Sequence, residues 1–304
     1  MNFTGPYSNF LLSSRPSSGR PRVVLTVGGS DPTGGAGIQA DLKTFQHFGV
    51  HGLSVVTAVT VQNTHGVRSA NPVEPELVEA QLSALGEDIP IDAIKIGMLT
   101  TSEVVEVVSN FVAKQRVPTV VDPIVASSSG TLFLDNATLD TLSSCLCPFA
   151  SVITPNISEA SAFTEIVIKS EDDLLEAARR LVEEGAESVL LKGGHATGPE
   201  SRDLYYDGTN AEWLSAPRRA KQVHGTGCVL SSAIASGLAL GLPARDAVHI
   251  AKEFITEMIE RAMPLGAGPE IFQFASPFIE EPVEGREPRG GFSKQATTPN
   301  PLLL

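Results

Sequence analysis

Cysteine is scarce in this chain of 304 residues, with only Cys145, Cys147 and Cys228 present. A small, odd number gives no disulfide framework and suits a reducing compartment, so a cytoplasmic protein is expected. Cys145-Leu-Cys147 lacks the second ligand pair of a structural zinc site; two small core thiols are the expectation there. Bases are outnumbered, 22 against 35 acids, for a net charge of −13. That argues against a general nucleic-acid binder, although a local basic pocket for a nucleotide stays open. No run reaches the ~18 apolar residues of a membrane helix. No G-x-x-x-x-G-K-[ST] phosphate loop exists, so a P-loop enzyme is not expected, and no G-x-S-x-G nucleophile elbow appears. His47 and His51 stand four apart, but Gly49 between them breaks any shared helical face.

What is present is a large apolar fraction, 42%, together with 27 glycines and 21 prolines. A sizeable core with many turns follows, rather than a helical bundle. Val23–Val27 reads as a buried strand, followed by the turn-rich stretch Gly28–Gly37. Ile38, Leu42 and Phe45 then recur at helical spacing, so a helix starts near Ala36. Further strands are expected at Val55–Val61, Ala93–Leu99, Thr119–Val121, Ser151–Thr154 and Val189–Leu191. Helices are expected over Glu76–Leu85, around Val104–Val112 and Leu174–Val182, and near Gly227–Gly241 and Ala244–Met263. Tyr205-Tyr206-Asp207-Gly208 signals a hairpin with Trp213 on its returning strand. This alternation implies an α/β fold, a mostly parallel sheet covered by helices on both faces. In such sheets ligands sit beyond the carboxyl ends of the strands. The unusual residues fall at those ends: Gly28–Gly37, Gln62-Asn63, Gly97-Met98, Asp122, Asn156, Lys192 and Gly193.

The ends of the chain read differently. Residues 1–21 are rich in Ser, Pro and Arg and contain no acid. That has something of a transit peptide's composition, but Pro6, Pro16 and Pro21 interrupt an amphipathic helix, so a disordered tail is expected. Residues 277–304 are rich in Pro, Gly and charge and read as a second tail.

Four motifs can carry chemistry. In His224-Gly225-Thr226-Gly227-Cys228, glycines immediately precede an apolar helix and expose backbone N–H groups at its positive end, an anion site. A phosphoryl-transfer enzyme needs such donors where charge develops. Cys228 falls in the first helical turn, where a thiol's pKa drops, and can take a proton from a substrate hydroxyl. The plain alternative is a glycine turn with a buried Cys. Lys192-Gly193-Gly194-His195 sets a lysine at a strand end, within reach of a nucleotide phosphate; an ordinary turn with a solvated lysine fits as well. Asn156 and Glu159 after Thr154-Pro155, with Asp122 on a neighbouring strand, suit Mg²⁺ held partly through water and phosphate. A capping box has the same spacing as Asn156 and Glu159, and the two roles are compatible. Gly35-Ala-Gly37-Ile-Gln-Ala40 fits the loose dinucleotide pattern, but the next strand ends at Gln62-Asn63 instead of a ribose-binding acid, which disfavours a nicotinamide enzyme. Gln62 can pair with an aminopyrimidine edge, or be a simple loop residue.

In order along the chain, these segments resemble the hydroxymethylpyrimidine/phosphomethylpyrimidine kinases of the ribokinase-like superfamily. The matching pieces run from Gly29-Ser-Asp-Pro-Thr-Gly-Gly-Ala-Gly-Ile-Gln-Ala-Asp-Leu-Lys-Thr-Phe45 through Val61-Gln-Asn-Thr64, Lys95-Ile-Gly-Met-Leu99 and Asp122-Pro123. They continue through Ser129-Gly130, Thr154-Pro-Asn156, Lys192-Gly-Gly-His195 and His224–Cys228, and span about residues 23–270. The resemblance implies a three-layer kinase domain over residues 22–276. It implies ATP-dependent phosphorylation of 4-amino-5-hydroxymethyl-2-methylpyrimidine and then of its monophosphate, for thiamin biosynthesis. It further implies that Gln62 and Asp41 line the pyrimidine pocket, with Gly29, Met98 and Ile124 near the ring. Cys228 takes the catalytic-base position and Gly225, Thr226 and Gly227 form the anion hole. Lys192, Asp122, Asn156 and Glu159 serve the nucleotide phosphates and Mg²⁺. The partners are then a small pyrimidine and ATP, with neither nucleic acid nor membrane, and a homodimer by analogy with the superfamily. Ser128 departs from the Lys or Thr usual in this family, which puts the second phosphorylation in question. Gly266-Ala-Gly-Pro269 is followed by Glu270 and Ile271 instead of an aromatic or His.

The rivals are a pyridoxal or pyridoxine kinase acting on a similar hydroxymethyl group, and a non-catalytic pyrimidine-binding protein of the same fold. The glycine turn, Cys228 and Lys192 argue against the second.

Overall fold

The structure, a computed structural model, describes residues 19–126, 130, 132–193, 199–219 and 221–274. The expectations for most of both tails, for Ser127–Ser129 and for Gly194-His195 lie outside the described residues. Among those described, nine strands form one sheet: β1 Val23–Ser30, β2 His51–Asn63, β3 Gly66–Pro72, β4 Ala93–Ile96, β5 Thr119–Val121, β6 Val152–Ile153, β7 Val189–Leu191, β8 Glu200–Tyr206 and β9 Ala211–Pro217. The spatial order is β3-β2-β1-β4-β5-β6-β7-β8-β9. The strands from β2 to β7 in that order run parallel, while β3 pairs antiparallel with β2, and β8 and β9 complete an antiparallel meander at the other side.

The principal helices are α1 Gly37–His47, α2 Pro75–Asp88, α3 Ser102–Gln115, α4 Asn136–Thr141, α5 Ile157–Thr164, α6 Glu171–Glu183, α7 Thr226–Ala239 and α8 Ala244–Glu260. Successive strand residues point to opposite faces, and both faces are apolar because both are covered. Val24, Ala93, Val120, Val152 and Leu190 pack with α1, α7 and α8. Their neighbours Leu25, Ile94, Val121, Ile153 and Leu191 pack with α2, α3, α5 and α6. The three-layer α/β arrangement expected from the alternation is therefore present. α7 is buried along almost its whole length; its residues are mostly apolar or small, and the hydroxyls of Ser231, Ser232 and Ser236 are all hydrogen-bonded, as a helix with no solvent face requires. Small residues let it approach: a Cβ on Gly237 would lie 2.9 Å from that of Ala247 on α8.

Two expectations need correction. The strand expected to stop near Val61 continues to Asn63 and turns into β3, so Gln62 sits in an antiparallel ribbon, beside a register shift. Most of β3 is polar and half or fully exposed, so it carries no apolar alternation to announce it. Of the two expected core thiols, Cys147 is buried but Cys145 is only half-buried. The break foreseen between His47 and His51 is real: Gly49 has φ +72°, and the residues end α1 and begin β2.

No described helix is long and apolar enough to cross a membrane.

Candidate active site

The parallel strands deliver Ser30, Gly97, Asp122, Thr154 and Lys192 to one edge of the sheet. At the same edge α7 begins. Its Ncap, Gly225, has φ +81°, a conformation that costs glycine little. The first bond of the helix runs from the Val229 N–H to the Gly225 carbonyl. The amides of Thr226, Gly227 and Cys228 stand upstream of that ladder, at the positive end of the helix. Gly225 is clamped by the loop after β1, since a Cβ on it would lie 2.0 Å from the Gly35 carbonyl oxygen. That loop is wound around Asp31, whose carboxylate accepts from the Thr33 and Ala36 amides and the Thr33 hydroxyl.

Two buried charge clusters flank the glycine turn. In the first, Asp41 on α1 accepts from the Thr26 hydroxyl at 2.6 Å, the Ser232 hydroxyl at 2.8 Å and the Lys95 ammonium at 3.0 and 3.1 Å. Both ionic side chains are 1% exposed. Burial alone would pull the Lys95 pKa down; Asp41, Cys228 and Asp122 reverse this and hold it above the ordinary lysine value.

In the second cluster, Asp122 accepts from Lys192 at 2.9 Å, Thr154 at 3.0 Å and Ser231 at 3.3 Å. Burial disfavours its charge, but Lys192 and Lys95 outweigh burial and its pKa is lowered. Lys192, opposed by the same burial, is raised to about 12 by Asp122 and Glu159. Its ammonium would lie only 3.3 Å from a Cβ on Gly227, which sets this charge against the helix N-terminus. Glu159 and Asn156 form a reciprocal capping box on α5, with bonds of 2.7 and 2.9 Å. Burial first, and then repulsion from Asp122, push Glu159 up to about 7 despite Lys192.

Cys228 is buried in the first turn of α7. The pKa drop expected for a thiol there is not what its surroundings produce: burial pushes it up to about 11, against Lys95 and the Gly37 amide, while Asp41 and Asp122 push it further. The correction arises because desolvation of a thiolate outweighs a single positive neighbour.

Across the turn, Gln62 approaches His224, with its Nε2 3.3 Å from the ring Nε2, which also meets an Asp31 carboxylate oxygen at 3.0 Å. A carboxylate only accepts, so the ring nitrogen carries the proton toward Asp31 and keeps no lone pair to accept from the Gln62 amide nitrogen beside it. Nearby, a Cβ on Gly29 would lie 2.3 Å from the Met98 methyl, and one on Gly97 would lie 3.9 Å from the Ile124 side chain.

This edge therefore gathers the glycine turn Gly225–Gly227, Cys228, Lys192, Asp122, Asn156 and Glu159. Gln62 borders the turn through His224, Gly29 lies against Met98, and Gly97 lies between the Lys95 ammonium and Ile124. Asp41 lies beneath the site, 0% exposed and with both oxygens taken.

A family profile described as Phosphomethylpyrimidine kinase matches residues 31–272. The chain belongs to the phosphomethylpyrimidine kinase family. Among its relatives is a hydroxymethylpyrimidine/phosphomethylpyrimidine kinase of Streptomyces coelicolor, 45% identical over 249 residues, or 82% of this chain and 92% of the relative. A solved phosphomethylpyrimidine kinase of Clostridium difficile is 40% identical with a TM-score of 0.69, covering 77% of this chain and 98% of the other. A Bacillus subtilis pyridoxal kinase solved with ADP is 33% identical with a TM-score of 0.78, covering 84% and 98%. These neighbours share the ribokinase-like three-layer fold.

For this phosphomethylpyrimidine kinase family member, the sequence reading gave no role to Lys95, Asp31, Thr154, Ser231 or Ser232. Lys95 did leave a signal. A lysine in the middle of a fully buried strand must find a counter-charge, although nothing local says that Asp41 supplies it.

Proposed function

We propose that the chain transfers the terminal phosphoryl group of ATP to the hydroxymethyl oxygen of 4-amino-5-hydroxymethyl-2-methylpyrimidine, and then to the monophosphate so formed. The diphosphate would feed thiamin biosynthesis. Family membership supports the reading, and one juxtaposition carries it: the unladdered amides of Thr226, Gly227 and Cys228 beside the Lys192 ammonium. Both are donors aimed where a transferring phosphoryl group gathers negative charge.

In this mechanism Gln62, Met98, Ile124 and Gly29 hold the pyrimidine so that its alcohol points at Cys228. The substrate oxygen attacks phosphorus as the bond to the ADP oxygen breaks, and its proton passes to the Cys228 thiolate. Lys95 and the Gly37 amide favour that thiolate, while burial keeps it a minor form at neutral pH. The loose transition state releases the alcohol proton late, so strong base catalysis is not required. Asp41 acts from below, fixing Lys95 under the site.

Mg²⁺ fits as an ion carried on the nucleotide phosphates. Among the described residues there is no group of three His, Cys, Asp or Glu able to hold a metal by themselves. Asp122 already accepts from Lys192, Thr154 and Ser231. That leaves Glu159, directly or through water, with Asp122 behind it, which agrees with the few protein ligands magnesium usually takes. When bound, the ion would neutralise phosphate charge.

A pyridoxal kinase is the second reading, favoured by the higher TM-score of the Bacillus subtilis neighbour. Gln62 favours the pyrimidine, because its amide can pair with an aminopyrimidine edge. A homodimer through a sheet edge would use β3 or β9, and sedimentation of the purified chain decides it. Cytoplasmic residence goes with this activity. The test is ADP release measured with the pyrimidine, with pyridoxal and with neither. A kcat/KM for the pyrimidine at least tenfold above that for pyridoxal is expected; the reverse ratio assigns the chain to the second reading.

A further inference from the structure

Away from the reacting groups lies a buried ion pair that the mechanism does not use. Lys252 on α8 donates to Asp203 on β8 at 2.6 Å, and the two side chains are 10% and 5% exposed. The other carboxylate oxygen of Asp203 accepts the Gly193 N–H at 2.9 Å. Gly193 directly follows Lys192 and lies flat on β8, where a Cβ would come within 2.0 Å of the Arg202 carbonyl oxygen. On its other side the Lys192 amide donates to the Pro155 carbonyl at 2.8 Å. The backbone at Lys192 is thus tied to β6's exit by one bond and to β8 by the next.

A buried ion pair is seldom retained for stability, because an apolar pair of similar volume is often as stable or more so. What the pair supplies here is a fixed acceptor for one backbone amide, next to the lysine that meets phosphate. Displacement of such a group by about an ångström is enough to lose function.

We propose that Asp203 and Lys252 are positioning residues for the nucleotide: Lys252 orients Asp203, and Asp203 fixes the Lys192-Gly193 backbone. The inference rests on the reading of Lys192 as a phosphate ligand. Neither residue touches substrate, so the effect should appear in nucleotide affinity and leave the pyrimidine site unchanged.

The experiment compares the full chain with two double variants by calorimetric titration of ADP and by the KM for the pyrimidine. Asp203→Asn/Lys252→Met removes the charges and keeps an oxygen facing Gly193. Asp203→Leu/Lys252→Met removes the oxygen too; if it does not fold, Asp203→Thr/Lys252→Met, whose hydroxyl is one bond shorter, takes its place. The Leu or Thr variant should bind ADP about tenfold more weakly with its pyrimidine KM within twofold of wild type, and the Asn variant should restore ADP binding to within about threefold. The inference is overturned if the Leu variant, or the Thr variant in its place, binds ADP like wild type, or if it and the Asn variant lose affinity equally. A wild-type chain that binds no ADP contradicts the reading of Lys192 itself, and this inference with it.

Discussion

The carbonyl oxygen of Gly35 occupies the space that a Cβ on Gly225 would need, 2.0 Å from its ideal position. The loop after β1 and the turn before α7 are therefore built against each other, and the glycine that opens the turn also seats the loop that carries Asp31. Gly225→Ala must both push the Gly35 loop away and hold φ near +81°. Strain and overpacking together should cost on the order of 2–4 kcal/mol of stability. Turnover should fall at least a hundredfold. Thermal unfolding and kcat check the two effects, and a variant with wild-type turnover would separate the turn from the chemistry.

Lys95→Met should strand the Asp41 carboxylate in the core with only the Thr26 and Ser232 hydroxyls. Removal of one member of a buried pair typically costs about 3–5 kcal/mol. Asp41→Asn/Lys95→Met, neutral on both sides, should recover most of that loss. Urea denaturation of the two variants measures the difference; equal losses would mean that the charge left behind is not what destabilises.

Glu159 gives a stability that depends on pH. Its carboxyl titrates near 7 in the fold against 4.5 for a free glutamate, so the folded chain binds that proton more tightly than the unfolded chain. Its contribution is therefore most favourable below about pH 4.5 and is lost as pH rises to about 7. Glu159→Gln, which can still accept from the Asn156 amide, should match wild type near pH 4.5 and exceed it at pH 8 by on the order of 3 kcal/mol. Denaturation midpoints at the two values test this, and no gain at pH 8 would contradict the raised pKa.

Cys228→Ala should keep pyrimidine affinity and lose on the order of 10² in kcat, the low end of the effect of removing a general base, because a loose transition state leans little on one. Because the thiol titrates near 11, wild-type turnover should climb between pH 7 and 9 as thiolate accumulates. The alanine variant should lose that climb. Identical profiles would remove Cys228 from the role of base.

Much of this was legible in the chain. Strand–helix alternation gave the three layers, and the residues out of place in a strand or turn, Asp122, Lys192 and the glycines before Cys228, fell at one edge because parallel strands all end there. Asn156 and Glu159 were readable as a cap, which they are. Less readable were the effects set by distant neighbours. Asp41 looked like a pocket residue, but its partner Lys95 lies 54 positions away. The thiol of Cys228 was expected to be acidic from its helix position, whereas the packing around it, invisible in the local sequence, decides the opposite. β3 escaped notice because its ladder faces water on residues such as Arg68 and Ser69.

The most direct measurement is the mass of the products formed when the purified chain is given ATP, Mg²⁺ and hydroxymethylpyrimidine. Pyrimidine monophosphate, followed by pyrimidine diphosphate with one ADP released for each phosphate transferred, is the predicted result. ATP left unconsumed, with the pyrimidine unchanged, would contradict the account at its centre.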